Sequence, residues 1–168
     1  MEDVTPHDAD LLLASHAPAE TERIGRRLAA GLSPGLIVLL RGEIGAGKTV
    51  LTRGIARGLG VAGRVASPTY TFVAEYPEAV PPLFHMDLYR LLDAGESVAE
   101  LGFDDYLERG GVVVVEWPAA AAARLPLDRL EVRLEHAGEL ERSLSFRAFG
   151  DAAKAALLDL RGFPEPPA

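Results

Sequence analysis

The chain has 168 residues, about the length of one ordinary domain. Seventeen Lys and Arg against 25 Asp and Glu leave a formal charge of −8, so the chain lacks the broad basic field of proteins that hold nucleic acid or membrane surfaces directly. It has no cysteine, which excludes a disulfide framework, a thiolate zinc site and a cysteine nucleophile.

The opening stretch MEDVTPHDADLLLASHA is acidic and has neither the basic region nor the long apolar region of a signal peptide. No run approaches the ~18 to 20 apolar residues of a membrane helix. A soluble, cytoplasmic protein without membrane association is expected. Residues 11–13 read as a short strand. A helix follows, with Pro18 in its first turn, Ile24, Leu28 and Leu32 at spacing four, and Gly31 or Gly35 near its end. Residues 36–40, LIVLL, form an unbroken apolar run too short for a helix, as in a parallel-sheet strand buried on both faces. The next helix carries Leu51, Ile55 and Leu59 on one face and stops at Gly60.

After a loop around Ser67 and Pro68, residues 71–74, 83–88 and 112–115 are strand-like, with charged helical segments between the last two. Residues 130–134 and 144–148 alternate apolar with polar, as a half-exposed hairpin about Gly138 would. Residues 151–160 close the chain as a helix, and 161–168 read as a flexible Pro-rich tail. There is no repeat and no long linker. The expectation is one α/β domain over 1–168, with a mostly parallel central sheet, helices on both faces and a mixed edge.

The chemistry is concentrated between the apolar strand and the helix after it. Residues 42–49, GEIGAGKT, satisfy G-x-x-x-x-G-K-[ST] in the strand-to-helix context the motif needs. Its glycines let backbone N–H groups turn toward phosphate oxygens, Lys48 supplies a point charge, and the Thr49 hydroxyl suits Mg²⁺. Such a site also needs a carboxylate at a strand end near the metal. Two runs deliver one: VVVVE ends in Glu116 and LFHMD ends in Asp87. The hydroxyl-rich loop with Ser67 and Thr69 stands where nucleotide hydrolases keep a switch segment. Trp117 follows Glu116 directly. His85 reads as a packed or hydrogen-bonded histidine, because no second histidine stands at metal-binding spacing.

GEIGAGKT, SPTYTFV, HMDLYRL, ELGFDDY and VEWP, in this order, resemble the bacterial TsaE family (formerly YjeE), small P-loop ATPases of tRNA threonylcarbamoyladenosine biosynthesis; the likeness covers roughly residues 18–135. It implies a P-loop NTPase-type domain that binds ATP and Mg²⁺ and acts with the TsaB and TsaD proteins, touching tRNA only through them. Carried over residue by residue, it implies phosphate binding by Gly45, Ala46, Gly47, Lys48, Thr49 and Val50, with Mg²⁺ on Thr49 and Glu116. Asp87 would act near the γ-phosphate or the attacking water, with Lys48 as the second catalytic group. Ser67 and Thr69 would form the switch-like loop, and Trp117 would lie beside the nucleotide. Residues 16–21 and the Glu141 and Arg142 pair are the candidates for holding adenine.

This chain departs from the family pattern at Glu43 and Ile44, where Asp-Leu is frequent, and at Val50, where a second Thr is frequent; both changes spare the backbone donors. After VEWP, residues 119–123 are all alanine where the family tends to be polar. Two other readings share the P-loop: a small-molecule kinase of shikimate-kinase size, and a nucleotide-binding interaction module with no catalytic duty. The late position of the loop, at residue 42, and the lack of an Arg-rich lid with glycine hinges count against the first. The joint presence of Lys48, Thr49, Asp87 and Glu116 counts against the second.

Overall fold

The computed structural model describes residues 9–94 and 97–163. In chain order its elements are β1 (Leu11–Ser15), α1 (Pro18–Ala29), β2 (Ile37–Arg41), α2 (Lys48–Gly58), β3 (Val73–Tyr76), β4 (Leu83–Asp87), α3 (Leu91–Ala94), α4 (Phe103–Glu108), β5 (Val112–Glu116), β6 (Arg129–His136), β7 (Arg142–Phe149) and α5 (Asp151–Leu158). The strands form one seven-stranded sheet in the order β1-β7-β6-β2-β5-β4-β3. The four central strands, β6, β2, β5 and β4, run parallel. Antiparallel pairs close both margins, β3 against β4 on one side and β6–β7–β1 on the other. The mostly parallel centre matches the sequence reading, and the antiparallel character extends to both edges.

The unbroken apolar run of β2 is explained by its place in the middle of this sheet. Alternate residues point to opposite faces of a strand. Val38 and Leu40 join the core formed with α1, α2 and α5, against Ile24, Leu28, Leu51, Ile55 and Ala156. Ile37 and Leu39 join a second core with Phe103, Leu91, Val98 and Ala121 on the other face. Each such side chain contributes about 1.5–3 kcal/mol by leaving water, so a polar residue is costly anywhere along this strand. The same logic holds for residues 112–115 of β5, whose alternate valines divide between the two cores.

Helices α1 and α2 touch through their backbones. A Cβ built on Gly54 would stand 2.1 Å from the carbonyl oxygen of Glu22, closer than atoms can approach, so only glycine permits this crossing. The contact sets α2 against α1 and fixes where its N-terminus emerges beneath the glycine loop.

Two expectations are corrected. The strand read at 71–74 begins only at Val73, because Phe72 adopts a left-handed backbone (φ 63°) and its N–H closes a turn onto the Pro68 carbonyl at 2.7 Å. The tail read at 161–168 is not free at its start: Phe163 packs against the larger core, lies 5.5 Å from the Arg23 guanidinium and donates its N–H to Leu160. The remainder of that tail, 164–168, lies outside the described residues, as do residues 1–8 of the acidic opening stretch. Among the described residues no helix is long and apolar enough to cross a membrane.

Candidate nucleotide-binding site

Because β2, β5 and β4 are parallel neighbours, their C-terminal ends open on one edge of the sheet, the edge where open α/β sheets place ligands. Register does the rest: Leu40 pairs with Glu116, and Glu116 pairs with Asp87. Beyond β2 the chain turns through the glycine loop into α2, whose N-cap, Gly47, has a left-handed backbone (φ 102°). The first turn of the helix thus presents Lys48 and Thr49 to the same edge.

A cleft of about 450 Å³ lies there, and Gly45, Gly47, Lys48, Thr49, Val50, Ser67, Thr69, Asp87, Glu116 and Trp117 line it. Ala46 does not line it. Its methyl is fully buried in the core and its N–H closes a turn onto the Glu43 carbonyl. Ile44 and Tyr89 also line the cleft, although the sequence marks Ile44 only as a departure from the family pattern and gives neither a place in the site. Tyr89 had a signal, since it stands two residues beyond the strand-end Asp87. Ile44 had one too: a large apolar side chain on the glycine loop, 70% exposed in the structure.

Lys48 is buried at the floor of the cleft. Its Nζ donates to the carbonyls of Gly42 and Glu43, both at 2.7 Å, and sits 4.0 Å from the centre of the Trp117 ring. Burial holds its ammonium below the ordinary lysine range, while Glu116 and then Asp87 oppose that shift by favouring the charged form. Trp117 takes a left-handed backbone (φ 60°) as the chain leaves β5 and enters a 3₁₀ turn at Pro118–Arg124. Its ring packs on Tyr89 with centroids 4.9 Å apart, making an aromatic wall over the lysine.

The two carboxylates are both buried and have separate partners. Glu116 Oε1 accepts from the Thr49 hydroxyl at 3.0 Å and is 2.8 Å from His85 Nε2. Asp87 Oδ2 accepts from the hydroxyls of Ser67 at 2.5 Å and Thr69 at 2.7 Å, while Oδ1 accepts from the Tyr89 N–H at 3.0 Å. His85 is fully buried and hydrogen-bonded, as the sequence reading held. The segments named for adenine meet beside the glycine loop without lining the cleft. His16 lies 3.8 Å from Glu141, and Arg142 donates to the carbonyls of Gly45 and Ala46.

The family model described as "Threonylcarbamoyl adenosine biosynthesis protein TsaE" matches residues 15–144 of this chain. The chain belongs to the TsaE family. Among its relatives, the tRNA threonylcarbamoyladenosine biosynthesis protein TsaE of Bacillus subtilis (strain 168) is 43% identical over 134 residues, which are 80% of this chain and 83% of that protein. The protein of that same description from Streptomyces coelicolor is 45% identical over 116 residues, 68% of this chain and 78% of its own. The crystal structure of Bacillus subtilis YdiB superposes with a TM-score of 0.78 at 36% identity, covering 90% of this chain and 93% of that one. The TsaE model spans both strand-end carboxylates, the glycine loop and the hydroxyl loop, so every group assembled at the cleft lies inside the family match.

Proposed function

We propose that this TsaE-family chain is a Mg²⁺-dependent ATPase of the tRNA threonylcarbamoyladenosine machinery, which binds and hydrolyses ATP in complex with TsaB and TsaD in the cytoplasm. The observation that carries the reading is the convergence of Lys48, Thr49, Asp87 and Glu116 on one cleft at the ends of parallel strands. The relatives' names supply the pathway. The charge of −8 supports contact with tRNA through the partner proteins rather than directly.

The donor set fits a hard divalent ion. The Thr49 hydroxyl and the Glu116 carboxylate lie within 3.0 Å of each other and are both oxygen donors, while no cluster of three or more His, Cys, Asp or Glu side chains suited to a metal occurs among the described residues. Mg²⁺ is commonly held by one or two protein oxygens plus substrate phosphates, and Thr49 and Glu116 would hold it here. When bound it neutralises negative charge on the phosphates. The chain's own residues do the remaining work. Backbone N–H groups at the glycine loop and the start of α2 bind phosphate oxygens, and the Lys48 ammonium, with a third N–H beyond the two it gives to Gly42 and Glu43, orients the outer phosphates. Asp87 Oδ1 takes one hydrogen bond among the described residues, from the Tyr89 N–H, and has capacity for a second, which suits it to orient a water molecule.

The test is ATP hydrolysis by the full chain alone and then with the TsaB–TsaD pair. Slow turnover alone that rises severalfold with the pair is expected. Failure to bind ATP in either setting, or phosphoryl transfer to a small-molecule acceptor in place of hydrolysis, overturns the reading.

A further inference from the structure

His85 is not among the residues that line the cleft. It sits on β4 two residues before Asp87, pairs across the ladder with Val114 and is fully buried. Glu116 is two residues beyond Val114, so His85 and Glu116 are diagonal neighbours on one face of adjacent parallel strands. The 2.8 Å contact between His85 Nε2 and Glu116 Oε1 is the product of that diagonal. A carboxylate oxygen accepts, so Nε2 carries the hydrogen. The other ring nitrogen, Nδ1, is buried and has no hydrogen-bond partner among the described residues.

The ring gives its Nε2–H to a carboxylate oxygen at the edge of the cleft, a charge-assisted partner that packing alone does not require. The arrangement makes sense if the ring is set for Glu116. The hydrogen bonds from Thr49 and from His85 both fall on Oε1 of that carboxylate. The Thr49 hydroxyl is on the exposed side of the pair, while His85 reaches Glu116 from inside the sheet and is immobilised by its burial.

We propose that His85 is a positioning residue: its Nε2–H fixes the orientation of the Glu116 carboxylate and thereby sets the affinity of the Thr49–Glu116 site for Mg²⁺ in the presence of nucleotide. The proposal rests on the reading of Glu116 as a metal-holding carboxylate. Outer partners of this kind, when removed, typically cost 10–100-fold in metal affinity or activity.

The experiment titrates Mg²⁺ into the full chain at saturating ATP analogue (a non-hydrolysable β,γ-imido form) and follows the fluorescence of Trp117, the only tryptophan, which lines the same cleft. Four variants are compared: His85→Leu, His85→Asn, His85→Gln and Glu116→Gln, each first shown to be folded by circular dichroism and a thermal melt. A glutamine amide N–H lies at the reach of Nε2, and an asparagine amide N–H at the reach of Nδ1. The Mg²⁺ midpoint is expected to rise about ten-fold or more for His85→Leu and His85→Asn and to return to within a few-fold of the parent for His85→Gln. If glutamine shifts the midpoint as far as leucine and asparagine do, or if all three leave it unchanged while Glu116→Gln moves it, the positioning role is wrong and the metal reading stands. If Glu116→Gln also leaves the midpoint unchanged, the metal reading falls and takes the proposal with it.

Discussion

Asp87 and Glu116 are paired residues at the ends of adjacent parallel strands, both buried, and each ends a run of four largely apolar residues. They are nevertheless held by opposite parts of the molecule. Glu116 is anchored from within, by a histidine of the neighbouring strand and by the first turn of α2. Asp87 is anchored from without, by two hydroxyls of the loop between α2 and β3 and by the backbone just beyond its own strand. A carboxylate held by core elements has a fixed position, which suits a metal ligand. One held through a loop changes its partners when the loop moves, and loops open more easily than strands. Under the proposed function the contrast suits two acids of similar depth to two different tasks, and Lys48 is the cation whose charge both of them favour.

Removing that shared cation has the largest expected effect. Lys48→Ala is expected to lower ATP hydrolysis by about 100-fold or more, about 2.7 kcal/mol on the barrier, with the fold retained. Calorimetry showing parental ATP affinity alongside parental turnover would deny the lysine its place between the two acids.

Next in size is the inner carboxylate. Glu116→Gln is expected to reduce hydrolysis in the presence of partners about ten-fold or more, at least ~1.4 kcal/mol on the barrier, and to raise the Mg²⁺ midpoint of the Trp117 signal. Parental values of both would transfer the metal to Asp87 and reverse the assignment of the two strands.

The outer carboxylate is separated from the inner one by hydrogen exchange. Asp87→Asn and Ser67→Ala each weaken a hydrogen bond to a charged group, a contact worth about 1.5–3 kcal/mol. Amides in residues 67–72 are expected to exchange about ten-fold faster in both variants and at the parental rate in Glu116→Gln. Equal acceleration in all three would mean that the two anchors form a single network.

The smallest effect concerns pH. An unfolded Lys48 keeps its proton up to the ordinary lysine value of 10.5, whereas the folded one, desolvated, releases it at lower pH. Between those two values the unfolded chain binds more protons, so this group makes stability rise with pH across that window. Urea unfolding of the parent and of Lys48→Met is expected to show the parent gaining on the variant as pH increases toward 10.5, the ordinary lysine value. A constant difference across that span would show that burial leaves the lysine unperturbed.

Much of this site is legible in the one-dimensional pattern because its parts are local. The LIVLL run, the glycine spacing of residues 42–49 and the acid at the end of each apolar run are each written within about eight residues, and strand, turn and helix N-terminus follow from such short patterns. The position of Ala46 was not legible: the motif marks it as a loop residue, and only the packing of β2 and α2 turns its methyl into the core. Phe163 in the closing segment is a similar case, since a Pro-rich stretch gives no sign of the apolar ground it covers.

What only the tertiary structure decided is which acid meets which donor. Thr49 and Glu116 are 67 residues apart, His85 and Glu116 are 31 apart, and Ser67 and Asp87 are 20 apart. Separations of that size leave no periodic trace along the chain, because the order and register of strands are set by burial of whole faces rather than by any residue of the site. Once β5 lies between β2 and β4, the ladder places Glu116 beside Asp87 and opposite Leu40, and the partners of each acid follow from where the neighbouring elements end.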